Sequence, residues 1–401
     1  MNSKMVKPYL SSAHKDKDGL VTGWRDIHTI LANKSGVGRD AVPEMLGYAV
    51  YYYAVYRAFG QEQDAVRAKE LLSQLLLLLA RNPPVGGWSA AGLDDMVVLA
   101  WLQAELVQYA VLDPGKPDPL AEWDLRLLTG ATHLIASASA NRAALLRIVR
   151  YFCLRLPQQL APGQWEQVTD LIERLLSEKV LGFVHPAPAG APATRLGLAD
   201  GLAGELLLLV QLAERGIFRA GIMEQVRQGI LSILAAKREV DFSEKKYAIF
   251  PDEIGSGPEA ETRFSNELSW RTSDLGQALL FYKSYELLQD QELVRLAELV
   301  GLNTLLRADV RTTAITTAEF GSGAAGVAHL YRKLYQLSGH EAYRKGYAYW
   351  LTQTRSWLTH ELHTDFYQHR EHDLRRGLVG VGLVLLSAIS EQEIGWDRAL
   401  L

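Results

Sequence analysis

The sequence has little that points to disulfides, to nucleic acid or to a membrane. Its 401 residues include one cysteine, Cys153, which excludes internal disulfides and any metal site that needs two thiolates. A formal net charge of −4 lacks the basic excess of a general nucleic-acid binder. The N-terminus is polar, unlike a signal peptide, and the strongest apolar runs (71–80, 96–112 and 205–213) are too short for a span or carry an acidic residue. We therefore expect a cytoplasmic protein without a transmembrane segment.

Also missing are a GxSxG elbow, a P-loop, a dinucleotide-binding glycine turn and alternating strand patterns. Instead, 48% of the residues are hydrophobic, enough to bury a large core. Residues 168–180 place an apolar stripe opposite charged residues, which predicts an amphipathic helix. Residues 201–216 are apolar nearly all round, which predicts a helix buried on most sides. Gly60, Gly216 and Gly339 are predicted to end helices.

Small residues recur just before, or within, the first turn of an apolar helix. This pattern favours one all-α domain over 1–401, a ring of about seven helical hairpins in which glycines let inner helices converge and amphipathic outer helices surround them. Unrelated glycine turns are the alternative. The recurring segments are 35–42, 85–98, 127–136, 197–210, 270–282, 319–335 and 375–388.

Two polar or proline-rich segments interrupt this pattern. Residues 235–266 contain Pro251 and Pro258 and predict a long, flexible polar loop that approaches the ligand-binding rim. Residues 185–195 are rich in Pro and Ala and predict an extended connector. Neither segment is a convincing domain boundary.

Four of the glycine segments resemble the lanthionine synthetase C-like family. They are GLADGLAG (197–204), SWRTSDLG (269–276), GSGAAGVAHLY (321–331) and GLVGVGLVLL (377–386). The resemblance implies an α/α toroid, a double ring of inner and outer helices. It also implies a lanthionine cyclase, which adds Cys thiols to dehydroalanine or dehydrobutyrine within a precursor peptide. The expected partners are that peptide and a lanthipeptide dehydratase.

The resemblance does not extend to the residues that bind zinc in the family. Family members bind zinc through two Cys and one His, whereas this chain has Arg271 at the first Cys position and Gly321–Ser322 at the Cys-His position. Asp200 stands where the family has its acid/base His. Thr272 replaces a Tyr, and Glu267 replaces an Arg. The resemblance therefore implies a cyclase-like protein that needs no zinc and no other cofactor.

A positive charge is the natural substitute for zinc at this position. An unperturbed thiol has a pKa of about 8.5, and a neighbouring guanidinium lowers it, so Arg271 is the candidate group for stabilising a thiolate. Asp200 is the candidate for accepting the thiol proton or reprotonating the enolate carbon, if burial raises its pKa toward neutrality. Glu267 or Asp274 would hold the Arg271 guanidinium in place. An ion-pair network that fills a vacated metal site, without chemistry, is the equal alternative.

Further residues near the helix starts are candidates for contacting a peptide. They are Trp270, Thr272, Ser322 and Trp88, although core packing is the commoner role of such aromatic residues. His360, His363, His369 and His372 have spacings that a metal would accept, but clustered His on a polar connector is usually solvated. His329 is predicted to lie in the core, and Cys153 is predicted to be buried and inert.

Two other functions remain open at this point. One is a catalytically inactive relative that binds peptide or serves as a scaffold in a modification complex. The other is a carbohydrate-active α/α barrel, which would use paired carboxylates and aromatic platforms. Its candidate carboxylates are Asp94, Asp95, Asp200 and Glu205.

Overall fold

A computed structural model describes residues 17–35, 41–81, 89–136, 141–155, 159–178, 180–181, 193–255, 261–390 and 392–400. These residues are almost entirely helical. The α-helices are α1 (Lys17–Lys34), α2 (Val42–Phe59), α3 (Glu62–Arg81), α4 (Ala90–Gln108), α5 (Ala121–Ala136), α6 (Arg142–Leu154), α7 (Gln164–Ser177), α8 (Leu202–Glu214), α9 (Arg219–Ala235), α10 (Asp274–Leu288), α11 (Gln291–Thr304), α12 (Val310–Thr313), α13 (Ala324–Ser338), α14 (Glu341–Glu361) and α15 (Leu378–Ile389). Two short strands, β1 (Thr194–Arg195) and β2 (Glu253–Ile254), and a 3-10 helix (Trp396–Ala399) complete the described elements.

The chain divides into two compact units. The first comprises Met1–Leu72 and Ile315–Gly395, and the second comprises Ser73–Ala314 and Trp396–Leu401. Within the first unit, α13 packs on α14 and α15, and α1 packs on α14 and α15. Within the second unit, α8 packs on α9 and α10, and α10 packs on α11. In both units the core lies between paired helices.

The helices are of two kinds, as the hydrophobic patterns predict. Nearly every residue of α8 and α15 is buried, whereas α7 and α11 each bury one stripe. The amphipathic helix predicted over 168–180 is confirmed as α7, but Val180 lies beyond its end at Ser177. In the parts of the chain that the structure describes, no helix is long and apolar enough to cross a membrane.

Glycines mark helix ends where the sequence predicts them. Gly60 and Gly339 have φ of +69° and +71° and end α2 and α13. Gly201, Gly323 and Gly377 are the extended N-cap residues of α8, α13 and α15, which confirms three of the predicted helix starts.

Of the other four predicted helix starts, one is confirmed, one is wrong and two have glycines outside the described residues. The segment 270–282 also opens a helix, α10. The start predicted in 127–136 is wrong, because this segment is the second half of α5. Residues 36–40 and 85–88, which carry the glycines of the first two segments, lie outside the described residues.

The polar loop between α9 and α10 is confirmed, and it contains short extended pieces. Its strand β2 pairs antiparallel with β1, with Thr194 opposite Ile254 and Arg195 opposite Glu253. Arg263 forms a further bridge to Glu253. Of the connector predicted over 185–195, residues 185–192 lie outside the described residues, and its last two residues form β1. The strand pair fixes this loop beside the start of α8.

Candidate active site

Two turns of the second unit meet at the carbonyl oxygen of Arg271. One turn precedes α8 and the other precedes α10. The Arg271 oxygen accepts hydrogen bonds from the N–H groups of Leu198 (2.9 Å) and Ala199 (3.2 Å). Gly197 permits this approach, since a Cβ there would lie 2.5 Å from the Arg271 oxygen and 2.8 Å from Cγ2 of Thr272. The two glycine segments are therefore docked on each other through their backbones.

This docking brings together the side chains of Asp200 and Arg271. Oδ2 of Asp200 lies 3.7 Å from Nη2 of Arg271, and the two side chains are 39% and 55% exposed. This distance is longer than a direct hydrogen bond, and an ion pair this exposed contributes at most about 1 kcal/mol to stability. The pair thus presents both charges to solvent. The burial of Asp200 that the acid/base hypothesis assumes is absent.

Asp274 does not hold the Arg271 guanidinium, which corrects the sequence-based expectation. Asp274 is buried and forms a salt bridge with the equally buried Arg307. Its carboxylate also accepts hydrogen bonds from the N–H groups of Ile249 (3.1 Å) and Phe250 (3.0 Å). All of these partners belong to neighbouring segments of the second unit. Asp274 therefore anchors the loop between α9 and α10 on the first turn of α10.

Glu267 also differs from the expectation. Among the described residues, the ion pair of Arg271 is formed with Asp200 and not with Glu267. Glu267 is half-buried, and it lies close enough to Asp252 to influence the pKa of that carboxyl group. Its charge therefore acts on a neighbouring carboxyl group.

The candidate peptide-binding residues lie in different surroundings. Trp270 is 1% exposed, so its ring is part of the core and is not available to a ligand. Thr272 is half-buried, and its backbone N–H donates to Oγ of Ser269 (3.0 Å). Ser322 is an exposed residue of the first unit, in the turn before α13. Trp88 lies outside the described residues.

A small recess beside the docked turns contains an acidic residue that the sequence analysis does not single out. Its lining includes Gly197, Asp252 and Thr272. Burial, reinforced by the nearby charge of Glu267, raises the pKa of Asp252 to about 6. Both protonation states of this carboxyl group are therefore populated near neutral pH. No sequence pattern marks Asp252, because it lies in an aperiodic loop.

The residues at the family's zinc positions do not fit a zinc ion. Arg271 offers a permanent cation and no lone pair. Within the described ranges, no group of three His, Cys, Asp or Glu side chains is arranged to hold a metal ion, and these ranges include His360, His363, His369 and His372. Cys153 is buried on α6, where desolvation raises the pKa of its thiol to about 11. Its predicted burial is confirmed, and the raised pKa keeps the thiol protonated at neutral pH.

Comparison with solved structures identifies the fold. A structure described as "Nisin cyclase" matches with a TM-score of 0.68 and 15% sequence identity, covering 94% of this chain and 96% of that chain. At this identity the likeness shows the fold alone, and it confirms the predicted all-α class, an α/α toroid. No curated protein matches the sequence.

Sequence comparison then gives the family. The family profile described as "Lanthionine synthetase C-like protein" matches residues 147–401, which is more than half of the chain. The chain therefore belongs to the lanthionine synthetase C-like family, and the resemblance seen in its glycine segments is confirmed. The matched region includes both docked turns.

Proposed function

We propose that this protein is a lanthionine cyclase that works without zinc. Its reaction is the intramolecular addition of Cys thiols to dehydroalanine or dehydrobutyrine in a precursor peptide, which a dehydratase would supply. Family membership supports the cyclase class. The observation that carries the proposal is the exposed Arg271–Asp200 pair, because it presents a positive charge at the position that corresponds to a zinc ligand in the family.

Arg271 stabilises the substrate thiolate by electrostatic attraction. Only a few per cent of a free thiol is ionised at pH 7, since its pKa is about 8.5. A guanidinium that lowers this pKa by about 1.5 units ionises about half of the thiol, and each unit corresponds to about 1.36 kcal/mol. A guanidinium carries its own positive charge, so this attraction needs no bound metal.

Asp200 has two tasks in this scheme. Its carboxylate lies beside the Arg271 guanidinium, and because it is exposed it serves as a transient acceptor that passes the thiol proton on to water. The thiolate then attacks the β-carbon of the dehydro residue. The S–C bond forms as the C=C π bond breaks, and the electron pair moves into an enolate. A proton at the α-carbon completes the thioether.

The direct test is a thiol-consumption assay. The protein is incubated with a dehydrated peptide that contains Cys, and free thiol is measured with an alkylating probe against the spontaneous reaction. We expect thiol loss above the spontaneous rate and a product of unchanged mass that resists alkylation. Alkylation that persists at the spontaneous level would instead support the inactive scaffold.

Replacing Arg271 with alanine should slow the addition in a pH-dependent way. At pH 6 a thiol of pKa 8.5 has about 30-fold less thiolate than one of pKa 7, and the greater nucleophilicity of the more basic thiolate recovers about five-fold, leaving a deficit of about five-fold. By pH 9 both thiols are largely ionised, so the deficit disappears and the more basic thiolate of the variant reacts about four-fold faster. Arg271→Lys should retain most of the rate, because it keeps the charge.

The matched control is Arg227→Ala, which removes an exposed arginine on α9 that pairs with Glu224. This variant should follow the wild-type profile. A deficit in Arg271→Ala that is the same from pH 6 to pH 9 would contradict thiolate stabilisation by this residue.

The carbohydrate-active alternative gains no support from its carboxylates. Asp94 forms an ion pair with Arg147 (2.8 Å), and the buried Glu205 forms one with Arg142 (2.6 Å). Both acids have structural partners within the second unit. The inactive scaffold keeps one observation in its favour, the loose and exposed pairing of Asp200 with Arg271, which is typical of a surface ion pair.

A further inference from the structure

The recess beside the docked turns contains a carboxyl group that the thiol-activation step does not use, that of Asp252. We propose that Asp252 is the proton donor to the α-carbon of the enolate, an assignment that rests on the proposed cyclase function. Asp252 shares the recess with Gly197, whose turn carries Asp200, and with Thr272, which directly follows Arg271. In this proposal, a peptide whose thiol lies at Arg271 places its dehydro residue at the recess.

The backbone around Asp252 is held on both sides. Its carbonyl oxygen accepts a hydrogen bond from the N–H of Leu196 (2.9 Å), and its own N–H donates to the carbonyl oxygen of Arg263 (2.9 Å). The residues that follow form β2, which pairs with β1 just before the turn that carries Asp200. Asp252 is therefore fixed on the scaffold that positions the candidate site.

Two aspartates line the recess, and their carboxyl groups differ in their hydrogen bonds and ion pairs. Asp274 is saturated by Arg307 and two backbone N–H groups. The carboxyl group of Asp252, by contrast, has no side-chain hydrogen bond or ion pair within the described residues. A partly buried carboxyl group without donors favours its neutral, proton-bearing form.

Most of the surrounding charges also raise the pKa of Asp252. Burial is the largest cause of the raised pKa of Asp252, and Glu267 adds to it, followed in smaller measure by Asp274 and Glu253. Arg263 opposes the shift, and the resulting pKa is about 6. This value is close to the range in which a general acid is most effective at neutral pH.

Gln277 supplies a second polar group that points to a ligand. Its side chain is 2% exposed and lines the same recess. Nε2 of Gln277 donates to the carbonyl oxygen of Leu196 (2.7 Å), whereas its Oε1 has no hydrogen-bond partner among the described residues. A buried acceptor without a donor is costly, and a peptide N–H would satisfy it.

The proton transfer balances without a cofactor. When the thiolate adds to the β-carbon, the π electron pair becomes the enolate, and the O–H bond of Asp252 breaks as its proton bonds to the α-carbon. Asp252 is left as a carboxylate and regains a proton from solvent, which has received the thiol proton from Asp200. The sum is the addition of S–H across the C=C bond.

The test compares wild type with Asp252→Asn across pH. If Asp252 donates the proton, the ratio of wild-type to variant rates depends on its protonated fraction and not on the thiol. We expect a ratio of about 100 at pH 5.5, a tenfold fall per unit above pH 6, and about two-fold at pH 8. A ratio that is independent of pH would mean a merely structural role and would overturn the proposal.

Two controls distinguish a failure of the proposed function from a failure of the assignment of Asp252. Asp170→Asn, at an exposed position on α7, should match wild type at every pH. A wild-type rate equal to the spontaneous rate overturns the proposed function itself, and the assignment of Asp252 falls with it. An active wild type with a pH-independent ratio overturns only the assignment.

Two further measurements check folding and the direction of proton transfer. Because folding raises the pKa of Asp252 from 3.8 to about 6, its burial costs stability above pH 6, and this cost vanishes as pH falls through 6 toward 4. Asp252→Asn should therefore be at least as stable as wild type at pH 7.5. In D₂O, wild type should set one configuration at the α-carbon and the variant a mixture; one configuration in both would overturn donation to that carbon.

Discussion

An alanine at position 197 is expected to lower the rate of thiol addition by about 100-fold while leaving the helices intact. The added Cβ would lie 2.5 Å from the carbonyl oxygen of Arg271, so the turn before α8 must move away from the turn before α10. This movement weakens the hydrogen bonds from Leu198 and Ala199, separates Asp200 from Arg271 and shifts the wall of the recess that contains Asp252, so that both the thiolate-stabilising group and the proton donor are displaced. A displacement of about 1 Å between reacting groups costs about 10²-fold in rate.

The control for this substitution is Gly130→Ala. Gly130 lies inside α5, and a Cβ there meets nothing within 4 Å. This alanine should raise the free energy of unfolding by about 0.5–1 kcal/mol and leave the rate unchanged. A Gly197→Ala protein with the wild-type rate would show that the docking of the two turns does not matter for the chemistry.

Replacing Arg307 with methionine is expected to lower the free energy of unfolding by about 3–5 kcal/mol. The substitution leaves Asp274 as a buried carboxylate without its cationic partner, which is the costly way to break a buried pair. The hydrogen bonds from Ile249 and Phe250 remain but do not neutralise the charge. The urea midpoint of the protein, followed by tryptophan fluorescence, measures this loss.

An exposed pair provides the comparison. Arg295→Met breaks an ion pair with Glu292 on the surface of α11, where Arg295 is 73% exposed, and should cost at most about 1 kcal/mol. If Arg307→Met costs no more than this control, Asp274 does not depend on Arg307. The anchoring of the loop between α9 and α10 would then need another explanation.

The sequence predicts the helices better than it predicts the loop that completes the site. The apolar and amphipathic patterns identify α8 and α7, because helical periodicity is local in sequence. Gly130 misleads, since a glycine inside α5 has the same local appearance as one at a helix start. The chain's division into two compact units leaves the prediction of a single domain untested.

The candidate site is predicted in part. Arg271 and Asp200 follow from the resemblance, and the structure places their side chains side by side. Sequence analysis does not identify Asp252, because its position depends on strand pairing with β1, which is far away in sequence. Its raised pKa depends on burial and on Glu267, and no motif links these two acids. The pairing of Asp274 with Arg307 escapes sequence analysis for the same reason: nothing near position 274 identifies a partner 33 residues further on.

In the proposed mechanism, the guanidinium of Arg271 takes the place of a metal in thiol activation. This mechanism is tested most directly by measuring the rate of thioether formation at pH 7 after exhaustive chelation, with and without equimolar zinc. We expect a rate above the spontaneous reaction that neither chelation nor zinc changes, together with a rate about five-fold lower in Arg271→Ala at pH 6. Activity that disappears on chelation and returns with zinc would contradict the account.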